Sequence, residues 1–297
     1  MPSGRFAPSP TGDLHLGNLR TALLAWLFAR SSGGRFLMRV EDLDPITSNR
    51  DHEARQLADL AAVGLDWDGP VVRQSDRRPQ HEAAIAALVA RGLTYPCYCS
   101  RREVREASAA PHSRPGAYPG TCRDLSDAAR RKREDSGRPA ATRLRASGDL
   151  VTVVDRLRGE VARPTDDIVL RRNDGVPAYH VAVVVDDADQ GVEEVVRGDD
   201  LLDATPSQAN LMDLLDLPRP AWAHVPLVLG PDGDRLAKRH GDVTLTDLAA
   251  RGVGGHEVRN RLAASLGLAL PGEAVTMQQL VDRFDPSALP TEPWNFA

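Results

Sequence analysis

The chain has 297 residues, of which 41% are hydrophobic and 27% charged, the make-up of a soluble globular protein with two domains or one α/β domain carrying an insertion. A net charge of −5 and a pI near 5.9 exclude a global basic field for nucleic acid, leaving only a local basic stripe for a transient grip. No apolar run approaches the roughly 20 residues of a membrane helix, the first residues lack a secretory apolar core, and three cysteines fit no disulfide framework. A cytoplasmic protein without membrane attachment is therefore expected.

Residues 4–7 read as a short strand running into the turn-rich Pro8-Ser9-Pro10-Thr11-Gly12-Asp13. Leu16, Leu19, Leu23, Leu24 and Leu27 recur at helical spacing and predict a helix over 15–30. Ser31-Ser32-Gly33-Gly34 ends it, and 35–40 resumes as a strand, the opening of a parallel βαβ unit. Helices are predicted over 49–63 and 79–91. The stretch 95–145 changes character: it is rich in Arg, Pro, Ser and Gly and holds the charged run 130–135. Strands at 150–154 and 168–171 bracket a polar connection, and 181–185 is a further apolar stretch. A buried strand over 192–196 leads to Arg197-Gly198-Asp199-Asp200, then a helix over 206–215. A last buried strand, 225–229, enters the Gly-rich loop 230–241, and helices follow at 245–250, 257–266 and 277–284. There is no internal repeat.

This order implies an α/β fold: a Rossmann-like parallel-sheet nucleotide-binding domain split by an insertion, with a small C-terminal helical region. The expected boundaries are 1–94 and 179–241 for the two halves of the sheet domain, 95–178 for the insertion and 242–297 for the helical region. Parallel sheets bind ligands at the carboxyl ends of their strands. The loops after Ala7, Val40, Val196 and Leu229 share that edge.

At a helix start, free N–H groups receive phosphate, Gly17 allows close approach, and His15 can hydrogen-bond phosphate oxygens. A lone His there is more often a cap. Arg235-Leu236-Ala237-Lys238-Arg239-His240, among Gly230, Gly233 and Gly241, can fold over an anion with Lys238 as a mobile point charge. Alone, it reads as a solvated basic turn.

Together the two loops resemble the paired nucleotide signatures of class I aminoacyl-tRNA synthetases. Arg5-Phe6-Ala7-Pro8-Ser9-Pro10-Thr11-Gly12 with His15-Leu16-Gly17-Asn18 is similar to the first signature of the glutamate-specific subgroup, and Arg235-Leu236-Ala237-Lys238-Arg239 to a relaxed second. Asn18 stands where the generic signature has a second His, and Arg235 and Ala237 where it has Lys and Ser. The resemblance implies ATP binding by His15, Gly17, Asn18, Arg235 and Lys238, with Lys238 and His15 catalytic and Mg²⁺ bridging the phosphates.

L-Glutamate carries two carboxylates and one ammonium, so its pocket needs cations and an acid. Arg5 and Arg197 can fork carboxylates, Glu41 can take the ammonium, and Tyr179 can donate its hydroxyl. Strand-end Arg and Glu are usually solvated or paired with each other. The resemblance assigns Arg5, Ser9, Glu41, Tyr179 and Arg197 to glutamate. Glutamine would not favour a second Arg beside its amide.

Cys97-Tyr98-Cys99 and Cys122 offer three thiolates, and tetrahedral zinc wants a fourth ligand, either His112 or the rarer Tyr118. Residue chemistry alone favours His112. The set Cys97, Cys99, Tyr118 and Cys122 resembles a zinc site of the glutamyl-queuosine tRNA(Asp) synthetase family, which implies Tyr118 and a structural Zn²⁺.

Membership of that family implies activation of glutamate without tRNA and transfer of the glutamyl group to queuosine in the anticodon loop of tRNA(Asp), with the insertion contacting the tRNA. It also implies no anticodon-binding domain after residue 242, and a monomer is expected. The competing readings are a shortened glutamyl-tRNA synthetase charging a tRNA 3′ end, a nucleotidyltransferase that moves AMP elsewhere, and a non-catalytic RNA-binding relative.

Overall fold

In the computed structural model, which describes residues 2–108, 117–237, 241 and 243–296, strand β1 (Gly4–Phe6) leads to helix α1 (Leu16–Ser31). Strand β2 (Phe36–Val40) returns parallel to β1, with Arg5 opposite Leu37. Helix α2 (Arg50–Ala62), capped by the Asn49 side chain, crosses to the two-residue strand β3 (Val72–Arg73), parallel to β2. Helix α3 (Arg78–Ala90) follows, with a proline in its first turn.

The chain then leaves the sheet through β4 (Thr94–Cys97), α4 (Arg101–Ser108), α5 (Asp127–Asp135) and β5 (Ala141–Leu144). It returns as the hairpin β6 (Leu150–Asp155) and β7 (Gly159–Pro164), leaves once more as β8 (Val169–Arg171), and re-enters through α6 (Tyr179–Asp189). Strand β9 (Glu194–Gly198), α7 (Thr205–Leu214), β10 (Ala221–Val225) and the short β11 (Val228–Leu229) complete the sheet domain. Helices α8 (Leu245–Ala249), α9 (Gly255–Ser265) and α10 (Met277–Arg283) follow, and β12 (Trp294–Asn295) pairs back onto β11.

Strands β9, β10 and β6 run parallel, with β7 antiparallel at the edge. The N–H groups of Glu193 and Glu194 donate to the Ser3 carbonyl at 2.9 and 3.1 Å, which sets β9 beside β1. The strands thus lie in the order β3-β2-β1-β9-β10-β6-β7. Alternation along the strands divides the core in two. Phe36, Met38, Val196, Ala223 and Val225 face α1 and the C-terminal helices, while Leu37, Val195 and Trp222 face the side of α3, α6 and α7. Among the described residues, no helix is long and apolar enough to cross a membrane.

The α/β class and the parallel sheet stand as expected. Three local readings change. Residues 181–185 lie in helix α6, whose apolar run is buried all round and so carries no periodic signal. The last main strand is 221–225 rather than 225–229: Pro226 has no N–H to continue a ladder, and the buried His224 disguised the strand. Residues 150–164, inside the expected insertion 95–178, are strands of the main sheet, with Val153 and Val161 packed into its second core. The excursion that remains is the antiparallel sheet β4-β5-β8 with α4 and α5.

Candidate active site and metal centre

At the carboxyl ends of β1, β2 and β9 lies a cavity of about 660 Å³. Arg5, Ser9, His15, Gly17, Asn18, Glu41, Tyr179, Arg197 and Arg235 all line it, so every described residue expected to hold glutamate or ATP is in one place. Lys238 lies outside the described residues.

The phosphate-side loop is built on a helix cap. His15 is the N-cap of α1: its Nδ1 accepts from Asn18 N–H at 3.3 Å, and Asn18 Oδ1 accepts from His15 N–H at 3.2 Å. That reciprocal box explains an amide at position 18. It also requires an unprotonated Nδ1, which leaves the ring proton on Nε2 as a donor. Gly17 is needed because a Cβ there would meet His15 Cε1 at 2.9 Å; the neighbour is the His15 ring, not open cavity. Gln56, which sequence reasoning missed, donates to the Ser9 and Gly12 carbonyls at 3.0 and 2.6 Å and pins the loop. The second loop is anchored at the same place: Leu16 N–H donates to Val243 O at 2.9 Å, and His15 bridges Thr244. Arg235 pairs with Asp200.

Burial and the Arg235 charge lower the His15 pKa to about 4, and burial with Arg197 lowers that of His180 to about 4. Below pH 6.5 the unfolded chain takes up protons that these native imidazoles refuse. Stability should therefore fall between pH 6.5 and about 4, by at most about 1.4 kcal/mol per pH unit for each group. Denaturant titrations of wild type and His15→Asn, which keeps a capping side chain, should show a shallower acid slope in the variant. Equal slopes would contradict the assignment.

The amino-acid side of the cavity is a buried charge network. Arg5 turns Nε and Nη2 to Asp187 at 3.1 and 3.5 Å, and Nη1 to Val196 O at 3.4 Å, so much of its fork is already engaged. Arg39, fully buried, donates to the same Asp187 at 2.7 Å and to Gln190 at 2.9 Å, and lies 3.6 Å from Glu41. Burial would raise the Asp187 carboxyl, but Arg39 and Arg5 outweigh it and hold it below the usual range. Glu41 goes the other way, raised chiefly by burial. Neither Arg39 nor Asp187 was singled out from the sequence. The signal was an Arg inside Phe-Leu-Met-Arg-Val and an Asp pair closing a Val run, since a charge buried in an apolar element demands a partner.

Arg197 differs. Its Nε donates to His224 at 3.0 Å, Nη2 to the Thr205 hydroxyl at 2.8 Å, and Nη1 reaches the Tyr179 hydroxyl at 3.5 Å. No described carboxylate is at ion-pair distance, and burial depresses its pKa. The cavity thus presents a buried guanidinium lacking a counter-ion and a carboxylate, Glu41, made uncomfortable by burial.

The three cysteines converge although they span residues 97–122: their Sγ atoms lie within 4.8 Å of one another, with Cys99 and Cys122 at 3.5 Å. The Tyr118 hydroxyl sits among them, 3.3 Å from Cys97 Sγ and 3.6 Å from Cys99 Sγ, and accepts from Cys122 N–H at 2.9 Å. Tetrahedral zinc with bonds of about 2.3 Å spaces its sulfurs at about 3.8 Å, so the donor set fits. His112 lies outside the described residues. A second cavity of about 1250 Å³ runs from this cluster to the first and shares Ser9, Glu41 and Tyr179 with it.

The family profile of the tRNA synthetases class I (E and Q), catalytic domain, matches residues 3–296. The chain is 61% identical to the Glutamyl-Q tRNA(Asp) synthetase of Nocardia farcinica, covering 98% of this chain and 92% of that protein. It is 40% identical to the Glutamate–tRNA ligase of Geobacter sulfurreducens, covering 94% of this chain and 60% of the ligase. Its fold superposes on the glutamate tRNA ligase of Elizabethkingia meningosepticum, solved in complex with its amino acid, with a TM-score of 0.84 at 27% identity, covering 99% of this chain and 67% of that one. The chain belongs to the class I tRNA synthetases of the glutamate and glutamine group.

Proposed function

We propose that this chain joins L-glutamate to ATP as glutamyl-adenylate and transfers the glutamyl group to queuosine in the anticodon loop of tRNA(Asp). The observation that carries the first step is the cavity, which sets a buried guanidinium, Arg197, with no carboxylate at ion-pair distance among the described residues, near the largely buried carboxylate of Glu41. Those are the complements of a carboxylate and an ammonium. Arg5 adds positive field, and the Tyr179 hydroxyl lies beside Arg197. Ser9 lies on the loop pinned by Gln56.

In the first step an α-carboxylate oxygen of glutamate attacks the α-phosphorus of ATP, and the bond to pyrophosphate breaks. Both partners are anionic, so orientation and charge neutralisation carry the catalysis. His15 Nε2–H, Gly17 at the start of α1, Asn18 and Arg235 face the phosphate side, and Lys238 fills the catalytic lysine position of the second signature. ATP enters as its Mg²⁺ complex. In the second step an acceptor hydroxyl oxygen attacks the activated carbonyl carbon, AMP leaves, and the hydroxyl proton is released.

The transfer to queuosine is supported by the 61% identity to a Glutamyl-Q tRNA(Asp) synthetase over nearly the whole of both chains. The second cavity supports it as well, since it offers an acceptor a route to Glu41 and Tyr179. Zn²⁺ held by Cys97, Cys99, Cys122 and Tyr118 would order the wall of that route. We take 95–149 with 165–178 as the tRNA-contacting insertion, 242–297 as the helical region, and the protein as a monomer.

Pyrophosphate exchange into ATP tests the first step. Exchange should require glutamate, proceed without tRNA and fail with glutamine. No exchange with or without tRNA would move the chain to a non-catalytic role.

A further inference from the structure

Arg197 is aimed by groups that do not themselves reach the substrate. An Arg guanidinium stays protonated, so its Nε–H must donate, and the atom it meets at 3.0 Å, His224 Nε2, must offer a lone pair. The imidazole proton then belongs on Nδ1, where Asp155 Oδ2 accepts it at 2.6 Å. The Asp155 carboxylate is fixed in turn by the backbone N–H groups of His224, Leu157 and Arg158 at 2.9–3.2 Å. The His224 and Asp155 side chains are both fully buried. Arg197 Nη2 is held by Thr205 Oγ1 at 2.8 Å, and the Thr205 hydroxyl donates to Leu201 O at 3.2 Å. Two of the three guanidinium nitrogens are therefore tied to the scaffold. Nη1, towards Tyr179 and the cavity, is left for a ligand.

We propose that Asp155 and His224 are positioning residues for glutamate binding: Asp155 locks the His224 tautomer, and that tautomer sets where Arg197 points. The inference rests on the reading of Arg197 as a glutamate carboxylate partner. With the proton on Nε2 instead, N–H would face N–H and the guanidinium would swing away. The hairpin β6–β7 thereby gains a role beyond sheet extension, since the end of β6 delivers Asp155 beneath the site from a stretch otherwise flanked by the insertion.

Asp155→Asn is the informative change. The Asn oxygen still accepts from the backbone N–H groups, but its amide donates to His224 Nδ1 and moves the ring proton to Nε2. In pyrophosphate exchange, this variant should raise the KM for glutamate roughly tenfold to a hundredfold, the scale of losing a hydrogen-bonded charge, with the KM for ATP within about twofold. In the Arg197→Gln background the same change should add nothing. Nitrogen-15 NMR of histidine-labelled wild-type protein at neutral pH should show His224, assigned by its loss in His224→Gln, protonated on Nδ1. Wild-type His224 protonated on Nε2 would overturn the proposal without reliance on the folding of Asp155→Asn. So would an unchanged glutamate KM in Asp155→Asn, an equal rise in both KM values, or an undiminished effect beside Arg197→Gln. An Arg197→Gln single variant with normal glutamate KM would instead remove the reading on which the inference rests.

Discussion

Replacing Arg197 by glutamine is expected to reduce kcat/KM for glutamate by about two to three orders of magnitude, mainly through KM, while the KM for ATP stays within about twofold. Arg197 is 6% exposed and has no carboxylate at ion-pair distance among the described residues, and on the proposed reading the substrate carboxylate fills that place. Losing one member of a buried, hydrogen-bonded charge pair costs about 2–5 kcal/mol, and each 1.4 kcal/mol is tenfold. Lysine should not rescue, because His224, Thr205 and Tyr179 are met by three separate nitrogens that one ammonium cannot replace. Folding should survive, since removing an uncompensated buried charge relieves a desolvation penalty. Exchange kinetics and thermal unfolding of the purified variant check both halves. A glutamate KM within twofold of wild type would contradict the assignment.

Removing zinc, or replacing Cys99 by alanine, should abolish transfer to tRNA while leaving glutamate-dependent exchange within a few-fold. Among the described residues, the small core around the cluster is Tyr95, Cys97, Tyr98, Tyr118 and Cys122, with Cys99, Val104 and Leu125 packed against it, too little apolar surface to hold an excursion of this length. Structural zinc supplies folding free energy directly where the core is that small, with about 10–16 kcal/mol recorded for zinc-finger peptides. Part of that is expected here, because Arg143 stacked 3.7 Å over the Tyr118 ring and the Tyr95–Asp167 bond at 2.6 Å also anchor the segment. The adenylate cavity contains none of these residues. One zinc per chain by elemental analysis is expected, with chelation opening 98–108 and 117–140 to protease. A chelated protein with an unchanged unfolding curve and digestion pattern would sink the metal site.

The opening of the chain was legible because its physics is local. The Leu spacing of α1, the turn residues before it and the glycines after it lie within one window, and the structure places them as read. The candidate cavity was legible for the same reason, since its residues sit where strands end. What the sequence hid is set by partners far along the chain. Arg39 and Asp187 are 148 residues apart, and His224 and Asp155 are 69 apart. No periodicity links such pairs. Strand β3 has only two residues, too few for any pattern, and β7 reads as polar because only Val161 of its six residues is buried. The edge hairpin β6–β7 therefore looked like part of the insertion. Pairing to β10 returns it to the main sheet.

The most direct test of the whole account is the acceptor. The protein would be incubated with ATP, labelled glutamate and tRNA(Asp) that carries or lacks queuosine, and the labelled tRNA digested to locate the label. The account predicts label on queuosine-containing tRNA(Asp) alone, in the anticodon loop. Equal labelling of both tRNAs, or label at the 3′ end of tRNA(Glu), would contradict it.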